Sequence, residues 1–540
     1  MWCCWLVRCT ISQTPGVYLH TYLPTQQAES HEGRPSLKST GGANDQRSTP
    51  LPICILLPPA LTRAMEYIYS LRSLFGWRNL AGAAVTYYAT LAFYRLFLHP
   101  LARFPGPKLA ALSRWYEAYY DVVQNGQYTK KIAELHKQYG PIIRISPFEL
   151  HVIDPAFYDK IYRMDGRWGK YGFMYDAFGA KSSTVFGSDH DAHKAHRAAI
   201  APLFSKAKVA SRQDLIRKNV DKLSRRIDAL AASGTTLNLG AAVSAFTRDI
   251  ANEYITGKQY NELDREDFGI GLSISSQGAG VFWRTTKHIR WFGPTLRSIP
   301  IDWVMKTADE GTQQFLRYLQ QSEADTKETL AAARASDPND DKSQTTVVHE
   351  IVRSKLPPSE KTFERVFEEI ATLTGAAFET TASALRLILF HVYSDPEILQ
   401  RVRAEIVAAA ATSPDPIPLT TLEKLPYLTA VLMEGLRLSP AIGTRSARLT
   451  NKDLVYGDWR IPAGTPVGMT TLLMHTDEKL YPEPLRFNPD RWMDPTDRKA
   501  LDKVYAPFSK GTRTCVGMHL AWAELYQLLS TLFRRFDFEI

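Results

Sequence analysis

Cysteine is nearly absent from this chain. Of the five in 540 residues, Cys3, Cys4, Cys9 and Cys54 crowd the N-terminal end, and Cys515 stands alone in all that follows. A lone cysteine supports no disulfide framework, so the body must be held together by its core. Basic runs interleaved with aromatic residues are also missing. Their absence removes the usual footprint of a nucleic-acid binder, despite a formal charge of +9. No internal repeat is visible. What the chain does have is an apolar content of 44%, ample for a large core. Its excess positive charge suits anionic lipid or an acidic protein partner.

Residues 1–64 read as a disordered extension produced by a start site set too early. The stretch SHEGRPSLKSTGGANDQRSTP is polar and rich in Ser, Gly and Pro. The opening MWCCWLVRC has too short an apolar core for a secretory signal. Residues 65–103 read as a membrane anchor and the start of a hinge. Within them LAGAAVTYYATLAFYRLFL, Leu80 to Leu98, carries one charge, Arg95. A helix of that length spans about 28 Å, close to a bilayer core, with Arg95 snorkelling to the interface. A buried globular helix is the alternative. Basic residues flank both ends, so the charge rule puts the body in the cytosol only weakly. Pro105-Gly106-Pro107 then makes a stiff elbow.

The body, residues 104–540, is mostly helical by periodicity, over 209–231, 308–334, 361–394, 396–411, 421–438 and 516–534. GPIIRISPFELHVID and LVYGDWRIPAGTPVGMTTLLM alternate as short strands do. The polar stretch Ala335–Thr346 is a surface loop.

Cys515 lies in Phe508-Ser509-Lys510-Gly511-Thr512-Arg513-Thr514-Cys515-Val516-Gly517, just before an apolar helix. A lone buried cysteine is usually a packing residue. Here the helix N-terminus and nearby Arg513 favour a thiolate, which can serve as an axial haem ligand. The stretch resembles the haem-binding loop of the cytochrome P-450 family: Phe, two residues, Gly, one residue, Arg, one residue, Cys, one residue, Gly. The flanking sequence resembles membrane-anchored filamentous-fungal members, the trichodiene-oxygenase-like group most of all.

The resemblance implies the family's mainly α fold, a large helical domain with small β-sheets, preceded here by one N-terminal transmembrane helix. It implies haem b, with Cys515 as the axial iron ligand, Phe508 packed under the thiolate and Gly511 in a tight bulge. Gly517 would let the helix approach the ring. Propionate contacts fall on Arg513, His193, Arg197 and Arg448, with His193 standing where the family often has Trp. His193 and His196, at i and i+3, could also be read as a metal pair, but no third ligand is evident. Glu379 and Thr380 match the acid–alcohol pair of the family's central helix, which delivers protons during dioxygen activation. Ala377 departs from the usual Gly. Glu434 and Arg437 alone would be an ordinary i,i+3 surface pair. With Arg491 they match the family's buried structural triad.

The implied function is monooxygenation of a lipophilic small molecule, a terpenoid or polyketide of fungal secondary metabolism. Electrons would come from NADPH through a cytochrome P-450 reductase docking near Lys510 and Arg513, with cytochrome b5 as a further donor. The implied location is the endoplasmic reticulum membrane, with the catalytic domain facing the cytosol. Two alternatives stand beside this reading. One is a haem–thiolate isomerase or dehydratase, which would need no Glu379–Thr380 relay. The other is an inactive haem-binding fragment, because the chain stops before the family's usual C-terminal hairpin.

Overall fold

The computed structural model describes residues 76–336, 345–439 and 441–539. The expected extension 1–64, and most of the loop 335–346, lie outside the described residues. The chain divides into two compact units, one ending at Ala92 and the other running from Phe93 to Ile540.

The anchor segment forms helix α1, Trp77–Phe93, whose 17 residues include none that is buried. It continues as a wider π-helical turn, Tyr94–Leu98, closed where the His99 N–H donates to the Tyr94 carbonyl at 2.7 Å. No helix among the described residues is long and apolar enough to cross a membrane. The expected 19-residue span is interrupted because its last turns belong to the body. Arg95 donates to the Leu112 carbonyl, and Arg144 donates to the Arg95 carbonyl at 2.8 Å. Arg95 is therefore engaged with protein and does not snorkel. The elbow that follows is pinned to the first strand: Arg144 N donates to Pro105 O at 2.7 Å. Gly106, at φ +150°, leaves only 2.4 Å between a Cβ position and the Arg144 carbonyl.

The longer helices of the body are α2 (Tyr128–Tyr139), α3 (His190–Ile200), α4 (Gln213–Ser233), α5 (Leu239–Thr256), α6 (Ile270–His288) and α7 (Glu310–Ala335). They continue with α8 (Phe363–Tyr393), α9 (Pro396–Ala410), α10 (Pro426–Leu438) and α11 (Met518–Arg535). Sequence periodicity anticipated most of the later ones to within a few residues. Helix α10 starts later than expected because Pro426 fits the first turn, where its missing N–H costs nothing. The segment Thr471–His475, read as strand, is a short helix.

Helix α8 is the axis of the fold, packed against α5, α7, α10 and α11. Helix α5 is buried nearly all round, as expected of a helix walled in by others. One close approach fixes the arrangement: a Cβ on Gly435 of α10 would lie 2.0 Å from Ile388 Cγ1 of α8. Ile388, Leu385, Phe246, Val220 and Leu529 belong to the core shared by these helices.

The strands are β1 (Ile142–Ser146), β2 (Glu149–Val152), β3 (Gly169–Lys170), β4 (Arg448–Leu449), β5 (Leu454–Tyr456), β6 (Trp459–Ile461) and β7 (Val467–Gly468). Five form one sheet in the order β1-β2-β7-β4-β3, with only β2 and β7 parallel, and β5-β6 form a hairpin. This crossover order sets β3, from early in the chain, beside β4, from near its end. Lys170 is thereby placed directly opposite Arg448.

Candidate functional site

The loop carrying Cys515 is shaped by two left-handed residues, Ser509 at φ 60° and Gly511 at φ 75°. Gly511 cannot be replaced without collision, since a Cβ there would meet the Arg163 carbonyl at 2.5 Å. A 3-10 turn, Gly511–Arg513, follows, and Cys515 N donates back to the Phe508 carbonyl at 3.0 Å. Phe508 packs beside Trp522 of α11, with ring centroids 6.3 Å apart. Cys515 keeps solvent exposure although protein packs closely around its thiol. Burial pushes the thiol pKa up, opposed by a hydrogen bond from the Gly517 N–H and by the Arg197 guanidinium. Desolvation thus outweighs the helix end that was expected to favour a thiolate, and the assisting cation is Arg197, not Arg513. A metal ion bound to the sulfur would reverse this balance.

Arg513 is buried and turns away from the surface, donating to the carbonyls of Gly187 (2.8 Å), Ser188 (3.2 Å) and Asp189 (2.8 Å). It is not available to a docking protein, and Lys510 is occupied by Asp159 at 3.1 Å and the Lys503 carbonyl at 2.6 Å. Arg197 donates to the Thr514 carbonyl at 2.7 Å, and Arg448 to the carbonyls of Ser446 and Ala447. His193 is buried, with its pKa pushed down to about 2 by desolvation and by Arg513, Lys170 and Arg197. His196 points elsewhere, to Glu360 at 2.9 Å.

Lys170 belongs to this group and was missed in the sequence, where nothing but its strand pairing distinguishes it. Its ammonium donates to the Val185 carbonyl. Burial, followed by Arg448, Arg513 and Arg197, holds its pKa well below the ordinary lysine value. Lys170, Arg197, Arg448 and Arg513 form no ion pair with a carboxylate among the described residues. Arg448 and Arg513 are buried and Lys170 and Arg197 half-buried. Cations held this way without compensation are costly, so the cluster calls for an anion.

On α8, Thr380 is exposed together with Gly375 and Ala376 one turn before it, and its Oγ1 donates to the Ala376 carbonyl at 2.8 Å. Such i−4 back-bonding loosens the helix locally. Glu379 does not bond Thr380. One of its oxygens pairs with Arg386 NH2 at 2.8 Å, and the other, Oε1, is buried without a partner.

Glu434, Arg437 and Arg491 come together. Glu434 and Arg437 are bidentate at 2.8 Å and fully buried, and Arg491 Nε reaches Glu434 Oε1 at 3.0 Å. Two further donors, Trp492 Nε1 (3.0 Å) and Asn488 N (2.9 Å), complete the carboxylate. His475 ties this cluster to the cysteine loop. Ala506 N donates to His475 Nε2 at 3.1 Å, so Nδ1 carries the proton and donates to the Arg437 carbonyl at 3.2 Å. Burial pushes the His475 pKa down to about 3.

A sequence model of the family described as cytochrome P450 matches residues 114–540. Tryptophan 6-hydroxylase fscE of Fusarium equiseti is 38% identical, over 84% of this chain and 88% of its own. Cytochrome P450 monooxygenase tpcC of Cochliobolus heterostrophus is also 38% identical, over 85% and 88%, and monooxygenase TRI4 of Fusarium sporotrichioides is 34% identical over the same shares. A crystal structure of a cytochrome P450 superposes with a TM-score of 0.60 at 18% identity, covering 76% of this chain and 88% of that one.

The chain belongs to the cytochrome P450 family. It is a haem–thiolate monooxygenase, and its cofactor is haem b, supplied with electrons by a redox-partner reductase. The residues around Cys515 fit that group. The cations lack carboxylates, Arg513 Nε is buried without a partner, and a Cβ on Gly517 would meet nothing within 4 Å.

Proposed function

We propose that Cys515 is the axial ligand of haem in an enzyme that oxygenates a lipophilic small molecule of fungal secondary metabolism, a terpenoid or polyketide. The observation that carries this is an exposed Cys515 with Arg197 close to its sulfur, set among buried and half-buried cations that have no carboxylate partner among the described residues. Bound haem supplies the dioxygen chemistry, one oxygen atom entering the substrate and the other leaving as water.

The chain's own residues do the rest. Lys170, Arg197, Arg448 and Arg513 would neutralise the two cofactor carboxylates, with neutral His193 as a further hydrogen-bond donor. The Glu434–Arg437–Arg491 cluster, through His475, holds the loop that presents Cys515. Glu379, held on the α5 side of α8, and the exposed Thr380 next to it would hold and pass protons. An indole is the second substrate reading, favoured by the similarity to a protein named as a tryptophan hydroxylase.

Electrons come from NADPH through a cytochrome P-450 reductase, with cytochrome b5 as a further donor. The enzyme sits at the endoplasmic reticulum membrane with its body in the cytosol, attached through α1. That helix has no buried residue and presents Trp77, Tyr87 and Tyr88 more than 60% exposed; aromatic side chains of this kind favour a lipid interface.

The test is the reduced carbon monoxide spectrum. It should show the red-shifted Soret band of a thiolate ligand, and Cys515→Ala should abolish that band; an unchanged spectrum overturns the assignment. A chain beginning after α1 should leave the membrane fraction, and its retention there would refute attachment through this helix.

A further inference from the structure

Glu379 and Arg386 lie seven residues apart, almost two full turns, so they share one face of α8. Their side chains meet at 2.8 Å, and Arg386 NH1 also donates to Ser244 Oγ of α5 at 2.5 Å. The guanidinium therefore bridges the carboxylate to the neighbouring helix. Both side chains are about one-fifth exposed, at 20% for Glu379 and 18% for Arg386, so solvent screens the pair only in part. Arg248, one turn beyond Ser244 on α5, also feels the Glu379 charge. Only Glu379 Oε2 is engaged, while Oε1 is buried with no partner. Thr380, the next residue, points about 100° away around the helix, and its hydroxyl is committed to the Ala376 carbonyl. The acid and the alcohol are thus not in contact, and the acid is held back toward α5.

We propose that Arg386 is a positioning residue for the proton relay, holding Glu379 with one oxygen bound and the other free to take and release a proton. Ser244 fixes the guanidinium in turn. The inference rests on the reading of Glu379 and Thr380 as a relay, and adds to it the group that decides where the acid stands between proton transfers. The balance is simple. A proton bonds to Glu379 Oε1 once the carboxyl rotates out of its buried position. The carboxyl passes it to the Thr380 hydroxyl oxygen, and that hydroxyl releases its own proton toward the oxygen being reduced. Arg386 keeps its protons throughout. Arg386 supplies charge and orientation and is not itself consumed. Replacing it with an apolar side chain leaves a partly buried carboxylate without its cation. Misplacing a reacting group by about 1 Å can cost on the order of 100-fold in rate.

The test uses the full-length haem-loaded chain reconstituted with a cytochrome P-450 reductase. Peroxide released per NADPH and the solvent deuterium isotope effect on NADPH oxidation are measured for Arg386→Met, Arg386→Lys, Glu379→Gln and the double variant Glu379→Gln/Arg386→Met. Haem content and the reduced carbon monoxide band control for folding.

Arg386→Met should keep the band, raise the peroxide share, enlarge the isotope effect and slow proton-dependent turnover about 10- to 100-fold. Arg386→Lys, which keeps the charge, should recover most of the loss. In the Glu379→Gln background the loss of Arg386 should add nothing, because it acts only through that carboxylate. Full additivity, or no recovery with lysine, overturns the positioning role. If Glu379→Gln itself leaves peroxide and isotope effect unchanged, the relay reading falls first and the inference falls with it. If Arg386→Met loses the band, Arg386→Lys decides alone: a lysine variant with the band but without normal peroxide partition overturns the proposal.

Discussion

Lys170 and Arg448 stand opposite one another across β3 and β4, two cations in one cross-strand pair. Like charges in that position repel, and neither side chain meets a carboxylate within the described protein. The pair makes sense as half of a binding site whose other half is anionic. Nearby Arg513 and Arg197 extend the same field.

Lys170→Met should therefore act in opposite directions on the two forms of the protein. Haem should be held less tightly by about 10- to 100-fold, the value of one charge-assisted hydrogen bond of about 1.5–3 kcal/mol. The haem-free protein should become more stable, because the repulsion with Arg448 is gone. Haem transfer to a scavenger apoprotein measures the first, and thermal unfolding of the haem-free chain measures the second. Equal losses in both would mean that Lys170 is only a packing residue.

Thr380→Ala should leave haem incorporation intact and divert NADPH electrons to peroxide, with coupled turnover reduced by about 100-fold or more. Thr380→Ser keeps the hydroxyl and should stay near the parent. Peroxide and NADPH counted in the same cuvette give the answer, and unchanged partitioning in the alanine variant removes Thr380 from the relay.

Glu434→Ala should strand two buried guanidinium groups, Arg437 and Arg491, and free Trp492 Nε1 from its acceptor. A loss of about 3–5 kcal/mol is expected, enough to give haem-free or misfolded protein. Trp492→Phe removes one neutral donor from the same carboxylate and should cost only about 1 kcal/mol. Haem content per polypeptide, followed by denaturant midpoints, separates the two. Normal haem loading in Glu434→Ala would show that the cluster does not hold the loop.

Acid should destabilise the fold well before its carboxylates are protonated. His475 and His193 are buried and neutral, with pKa pushed down to about 3 and about 2 by desolvation first. The unfolded chain takes up protons at these histidines near pH 6.5, and the folded chain does not. The stability they allow is complete above pH 6.5 and is lost as the pH falls from there toward the folded values. Each contributes a slope of up to about 1.4 kcal/mol per pH unit over that window. Urea midpoints between pH 7 and pH 5 should fall, and His475→Gln should flatten the fall. A flat profile in the parent protein would mean these histidines charge in place.

The sequence alone determined what depends on local spacing. Cys515 with Phe508, Gly511, Arg513 and Gly517 lies within ten residues, and the backbone needs of that loop, a left-handed Gly511 and a helix starting at Met518, are met by its own residues. Helix α8 and the neighbouring Glu379 and Thr380 were likewise legible, because a 3.6-residue period and a mid-helix Thr pair leave a local trace.

Tertiary structure decided which charges face one another. Lys170 reaches Arg448 only through the crossover that seats β3 beside β4, and His475 joins the triad to the cysteine loop only because α10 and that loop pack on either side of it. It also turned Arg513 inward and drew Arg95 into the body, reversing what their positions in the chain implied. The thiol pKa went the same way: a helix end favours a thiolate in isolation, but desolvation is set by everything packed around the sulfur. Charge partners and burial are sums over distant segments, and a single chain read in order cannot carry them.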